Sequence, residues 1–150
     1  MMLAIRTILA PTDFSPHAAV AVRYACELAV RLGSALHLLH ILPDVVPVTP
    51  DPMLAPAMPP EFFAQSEVRA REALGVILDP AWGEPPSVVT AVHWGAGVEG
   101  IVEYAAAHAI DLVVIATHGR TGIRHALLGS VAERIVRESP CPVLTIRDRG

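Results

Sequence analysis

Lysine and asparagine are absent from this 150-residue chain, so all eleven of its cationic side chains are arginine. The missing lysine excludes a Walker-type phosphate loop, which needs one directly after its last glycine. Cysteine is scarce: Cys26 falls in a helical pattern and Cys141 beside Pro142, with neither metal nor redox spacing between them. Charged residues make up only 17%, and the net charge of −4 leaves no basic footprint for nucleic acid. No run reaches the roughly 18 apolar residues of a membrane span. Arg6 and Asp13 interrupt the N-terminal stretch before the apolar core of an export signal can form. The expected setting is the cytoplasm, with both cysteines reduced. Beside fourteen prolines, the lysine and asparagine deficit reads as genomic or thermal bias rather than function.

What is present is apolar. Hydrophobic residues make up 53% of the chain, which suits a sheet covered on both faces. The length predicts one domain, residues 1–150, burying roughly 70% of the unfolded surface. Leu3–Ala10 reads as a buried strand ended by Pro11. Ser15-Pro16 supplies an N-cap and first helical residue for an apolar period running from Ala18 to Leu32, with Gly33 as the stop. Ala35–Leu42 is a second strand, with Leu36, Leu38 and His40 on one face and His37, Leu39 and Ile41 on the other. Pro43–Pro60 holds seven prolines in eighteen residues and no period, which predicts a flap rather than an element. A helix over 60–78, a strand over 88–94, a helix over 98–108 and a β-branched strand over 111–117 follow. A last helix over 129–138 and a fifth strand over 142–147 complete the pattern.

Strands alternating with helices predict an α/β, Rossmann-like fold: a doubly wound parallel sheet with helices on both faces. Right-handed crossovers make 3-2-1-4-5 the most economical strand order. That order sets strand 1 beside strand 4, and ligands bind at this reversal, outside the carboxyl ends of the strands. The segments leaving those two strands are Pro11–Ser15 and Ala116–Gly122, so both unusual loops meet in one crevice.

Gly129-Ser130 opens a helix, where unpaired N–H groups and a partial positive charge can hold phosphate without lysine. The Ser130 hydroxyl can add to this, and Arg120 or Arg124 can supply forked donors. Gly119 permits close backbone approach, and Gly122 follows it. The plain alternative is a glycine-rich connection in which Ser130 is an ordinary N-cap. Asp13 reads as a spare carboxylate, because Ser15 already caps the first helix. It is placed to accept from a ligand's amine or hydroxyls, or to help hold a metal ion, unless it only shapes a local turn. The histidines offer little: His37 and His40 point to opposite faces, and His17, His93 and His108 have no evident partner. His118 lies in the candidate loop without a nucleophile beside it. Glu99 and Glu103 read as a solvated helix face. With no general base in view, the chain reads as a binder before a catalyst.

Pro11-Thr12-Asp13-Phe14-Ser15, the LLHI run at 38–41, and ATHGRTG through LLGSVAERIVRESPCPVL at 116–144 together resemble a universal stress protein over essentially the whole chain. The resemblance implies a nucleotide-binding fold with order 3-2-1-4-5, ATP as ligand with or without Mg2+, slow or absent hydrolysis, and a homodimer. By resemblance, Asp13 and the backbone at Ile41 face adenine or ribose, and Pro11, Thr12, Ile115 and Ala116 line that pocket. Gly119, Arg120, Gly129, Ser130 and Val131 surround the phosphates, with His118 in the same loop. The family's nucleotide motif begins with a glycine where this chain has Ala116. At the end of a β-branched strand, ordinary β angles suit alanine, so the methyl threatens only close approach by a ligand. The order also leaves strand 5 at the sheet edge, where the uncharged run Val143, Leu144, Thr145 and Ile146 is suited to pairing with a second copy. Two rivals stand beside this reading. One is a dimeric interaction module of the same family that binds no nucleotide. The other is an ATP-pyrophosphatase-like enzyme, disfavoured because Ala10-Pro11-Thr12-Asp13 replaces the Ser-Gly-Gly loop such enzymes carry.

Overall fold

A strand packed on both faces has no polar side, and parallel pairing makes that the rule for the central strands. The computed structural model describes residues 3–44, 50–54, 56–118 and 128–148. Its strands are β1 (Thr7–Pro11), β2 (Ala35–Leu42), β3 (Ser87–Trp94), β4 (Leu112–Ala116) and β5 (Val143–Ile146). They form one parallel sheet in the order β3-β2-β1-β4-β5, as the sequence predicts. The helices are α1 (Pro16–Leu32), α2 (Pro60–Gly75), α3 (Gly97–Ala107) and α4 (Ser130–Glu138). Single helical turns at Pro52–Leu54 and Pro80–Trp82 interrupt the connections. The predicted flap over 43–60 lies partly outside the described residues.

Alternate strand residues feed two cores. Ile8, Leu36, Leu38 and Val114 pack against α1 and α2, where Ala21, Ala25, Ala29 and Leu74 meet them. Leu9, Leu39, Val113 and Ile115 pack against α3 and α4, where Ile101, Tyr104 and Ile135 meet them. Each fully buried leucine or isoleucine contributes about 1.5–3 kcal/mol of transfer free energy. The buried face of α1 is small, made of Ala18, Ala21, Ala25 and Ala29 with Val22 and Cys26, and lets that helix lie close to the sheet. Ser15 caps α1 through its hydroxyl, which accepts from the Ala18 N–H at 3.1 Å. Gly33 ends it in the left-handed region at φ 67°.

Several boundaries differ from the sequence reading. β1 begins at Thr7 rather than at Leu3, because pairing with β2 starts there and Leu3 is 89% exposed. Asp111 fixes that starting point: Oδ2 accepts from the Arg6 N–H at 2.8 Å, the Thr7 N–H at 3.0 Å and the Thr7 hydroxyl at 3.1 Å. α2 stops at Gly75, a poor helix former, and Ile77 and Leu78 reach the core from irregular chain instead. β4 and β5 are each trimmed to their paired residues. The carbonyls of Pro142 and Ile146 accept from the N–H groups of Val113 and Thr117. Alternate residues of a parallel strand face the same neighbour, so Leu144 also faces β4, and Val143 and Thr145 turn their backbone groups to the open edge.

Candidate functional site

The carboxyl ends of β1 and β4 lie side by side at the reversal of strand order, and each releases a tightly tethered loop. After β1, the Thr12 N–H donates to the Leu39 carbonyl at 2.9 Å, continuing the ladder by one residue. The chain then turns sharply. The Thr12 hydroxyl accepts from the Phe14 N–H at 3.0 Å, and Asp13 Oδ1 accepts from the Ser15 N–H at 2.9 Å. Phe14 adopts φ 62°, a left-handed conformation that costs a non-glycine residue about 1–2 kcal/mol. Asp13 is therefore not the spare carboxylate expected from sequence, because one of its oxygens shapes this turn. Beneath it, His40 Nδ1 lies 2.7 Å from the Thr12 carbonyl, and its ring lies 4.5 Å from that of Phe14.

After β4, the Thr117 N–H donates to the Ile146 carbonyl at 2.9 Å, and its hydroxyl lies 3.1 Å from His118 Nδ1. The Thr117 carbonyl accepts from the Gly129 N–H at 2.6 Å, which joins the end of β4 to the start of α4. Gly129 is itself the N-cap of α4, with Ser130 in the first turn, so the reading of Ser130 as N-cap does not hold. Gly129 has φ −66°, so close contact rather than backbone freedom calls for glycine there: a Cβ would stand 3.0 Å from the Thr117 oxygen. Ala116 is absent from the described positive-φ residues, which leaves its methyl as the only departure from a glycine.

These loops enclose a cavity of about 310 Å³. Pro11, Thr12 and Asp13 line it from β1, Ile41 from β2, and Ile115, Ala116 and His118 from β4. Gly129, Ser130 and Val131 line it from α4. Every described residue that the resemblance placed around the nucleotide thus lines this one cavity. Gly119 and Arg120, with Gly122 and Arg124, lie outside the described residues. The sequence reading missed the apolar wall: Leu39, Ala18, Ile101, Ala132 and Ile135, together with Gly97 and Thr117. Their apolar periodicity, on strand or helix, signals burial, and spacing alone cannot separate a residue facing a cavity from one facing another side chain.

Among the described residues, no arginine lines the cavity. Two helix starts do, α3 through Gly97 and α4 through Ser130, and neither has a side-chain cap. Their first N–H groups have no partner within the helix, and both macrodipoles place partial positive charge at the cavity. At the surface between these helices, Glu99 and Arg134 pair at 2.6 Å, which holds the Glu99 carboxyl below its ordinary pKa. Glu99 is thus not simply a solvated residue.

The histidines are better partnered than their sequence positions suggest. On the α3 face, His37 Nδ1 lies 2.9 Å from the Tyr104 hydroxyl, His108 stacks on Tyr104 at 3.8 Å, and His93 meets it edge-on at 5.5 Å. Burial, with His108 adding to it, pushes the His37 pKa down, and burial pushes the Tyr104 phenol up. His17 lies 3.5 Å from Asp148. Among the described residues, no group of three His, Cys, Asp or Glu side chains is arranged to hold a metal ion. No described helix is long and apolar enough to cross a membrane.

Residues 4–147 match the family described as the universal stress protein family. Universal stress protein MJ0531 of Methanocaldococcus jannaschii is 31% identical over 149 residues, covering 95% of this chain and 82% of that one. Among solved structures, the universal stress protein UspA from Lactobacillus plantarum superimposes with a TM-score of 0.78 at 27% identity, covering 97% of this chain and all of that one. A universal stress protein in complex with cAMP superimposes with a TM-score of 0.69 at 25% identity, covering 97% of this chain and 98% of the other.

Proposed function

The chain belongs to the universal stress protein family, and from that premise we propose that it binds ATP, with or without Mg2+, as a cytoplasmic stress-response regulator or adaptor. One observation carries the reading: a mainly apolar cavity at the reversal of strand order, fronted by two uncapped helix starts. The apolar wall from Leu39 to Ile115 suits a base. Asp13 retains acceptor capacity toward ribose hydroxyls or an amine, and the backbone at Ile41 lies alongside. The first-turn N–H groups of α4 and the Ser130 hydroxyl suit phosphate without a lysine, joined by Gly119 and Arg120 if the family pattern holds. The cAMP complex of a relative supports an adenine nucleotide as the ligand class.

Slow or absent hydrolysis fits the side chains present. Of the described groups that line the cavity, His118 has Nδ1 3.1 Å from the Thr117 hydroxyl and Asp13 has Oδ1 2.9 Å from the Ser15 nitrogen, so both are already bonded within the protein. The test is to denature the purified protein and chromatograph what it releases. An adenine nucleotide near one per chain is expected. None released, together with no binding heat from added ATP in calorimetry, would discard the reading.

The second reading is a dimeric module that works without nucleotide. The outer edge of β5, with which no strand among the described residues pairs, favours it, with Val143 and Thr145 turning their backbone groups outward beside Leu144 and Ile146. Dimerisation through that edge belongs to both readings, and nucleotide release separates them.

A further inference from the structure

We propose that His40 is a positioning residue for the ligand, holding the Thr12–Phe14 turn in the one conformation that presents Thr12 and Asp13 to the cavity. The turn is strained at Phe14, with φ 62°, so something outside it must hold it. Its own side chains provide two local bonds, from the Phe14 N–H to the Thr12 hydroxyl and from the Ser15 N–H to Asp13. Local bonds of that kind form in many turns and do not select this one.

Phe14 packs on the α1–α2 core, and His40 adds a directional tertiary restraint. The Thr12 carbonyl can only accept, so at 2.7 Å Nδ1 must carry the hydrogen and donate it. That fixes the tautomer of a neutral His40. The same ring lies against Phe14 at 4.5 Å, so one side chain grips the turn at two points, a carbonyl and a ring. It projects from β2 one residue after Leu39, whose carbonyl takes the Thr12 N–H at 2.9 Å. Both backbone polar groups of Thr12 therefore end on neighbouring residues of one strand. His40 is not among the residues lining the cavity, so its effect reaches a ligand only through Thr12 and Asp13.

The proposal rests on the nucleotide reading for its ligand, and the test keeps the two apart. Asparagine places an amide N–H where Nδ1 stands, whereas glutamine carries its amide one carbon further out. His40→Asn and His40→Gln are similar in polarity, and both retain a folded sheet. Amide hydrogen exchange at Phe14 and Ser15 should be slow in the parent and in His40→Asn, and fast in His40→Gln, with β1 and β2 amides unchanged. ATP affinity should follow the same order, weakened about fivefold in His40→Gln by the loss of one hydrogen bond. Equal exchange at Phe14 and Ser15 in the two variants, or fast exchange in the parent, overturns the role of His40. A parent that binds no ATP instead removes the nucleotide reading and leaves the exchange result standing.

Discussion

The Gly129 N–H lies 2.6 Å from the Thr117 carbonyl oxygen, and a Cβ built on Gly129 would stand 3.0 Å from that same oxygen. One atom of β4's trailing backbone thus both anchors α4 and crowds any side chain at its N-cap. The crowding favours glycine before any ligand arrives.

Gly129→Val should consequently disturb the apo protein as well as binding. Separating the two backbones is expected to cost about 1–3 kcal/mol, as overpacking does. At this chain length that lowers the midpoint of thermal unfolding by about 2–10 °C. Scanning calorimetry without nucleotide gives the answer. An unchanged midpoint with lost ATP binding would mean that Gly129 serves the phosphate alone.

The His37 pKa is depressed, first by burial and then by His108. The folded state then binds fewer protons than the unfolded chain near the ordinary histidine pKa of about 6.5. The contribution is intact above that pH and is lost as pH falls through the depressed value. His37→Phe should lower stability at pH 7.5 by about 1 kcal/mol, because the Tyr104 hydroxyl loses its partner. It should also shrink the further loss between about pH 7.5 and 5. Urea unfolding at the two pH values measures both, and an undiminished loss in the variant would clear His37 of the effect.

Asp111 ties the start of β1 to β4 through three hydrogen bonds. Its carboxyl pKa is lowered, first by the Arg6 N–H, against the opposing effect of desolvation. The stabilisation is present above about pH 4 and is lost as pH falls through the lowered pKa. Asp111→Ala should destabilise by about 1.5–3 kcal/mol at pH 7, the range for hydrogen bonds to a charged group. The gap between variant and parent should close in acid. Denaturant midpoints from pH 7 to 2 that keep a constant gap would contradict this.

At the β5 edge, the ladder places Thr145 with its N–H outward and Leu144 with its N–H toward β4. Thr145→Pro removes an outward donor without touching the chain's own sheet and should convert a dimer to a monomer with little change in fold. Leu144→Pro breaks a bond to β4 and should destabilise each chain. Sedimentation velocity at micromolar concentration decides, and a parent that runs as a monomer ends the edge-pairing model.

Strand order was legible because strands alternate with helices and most strands are bounded by proline, glycine or serine, as at Pro11, Gly33 and Gly95. The cavity's polar rim was legible for a similar reason: it falls in a loop and a helix start, where Asp13 and Ser130 have no packing role to hide behind. The apolar wall was not, since Ile101 and Ile135 serve the core and the cavity with the same face. Nor were the histidine contacts. His37 and His93 come from β2 and β3, and the register of the sheet brings them to Tyr104, while His108 lies one helical turn beyond it at the end of α3. Asp13 was misjudged by counting caps: the turn before a helix has amides of its own to satisfy, and Ser15 serves only the helix.

The bare start of α3 sets stability against function. Ala96 already holds N-cap angles, φ −79° and ψ 135°, so an aspartate in its place would fit without moving the backbone. Such a cap is worth about 1 kcal/mol, and Ala96→Asp is a gain open to selection for thermal endurance alone. The same carboxylate would occupy the amides and oppose an anion at Gly97. A chain tuned purely for rigidity would close this helix end. Leaving it open keeps a stabilising substitution in reserve, and a screen for heat-resistant variants should recover it at the expense of ligand affinity.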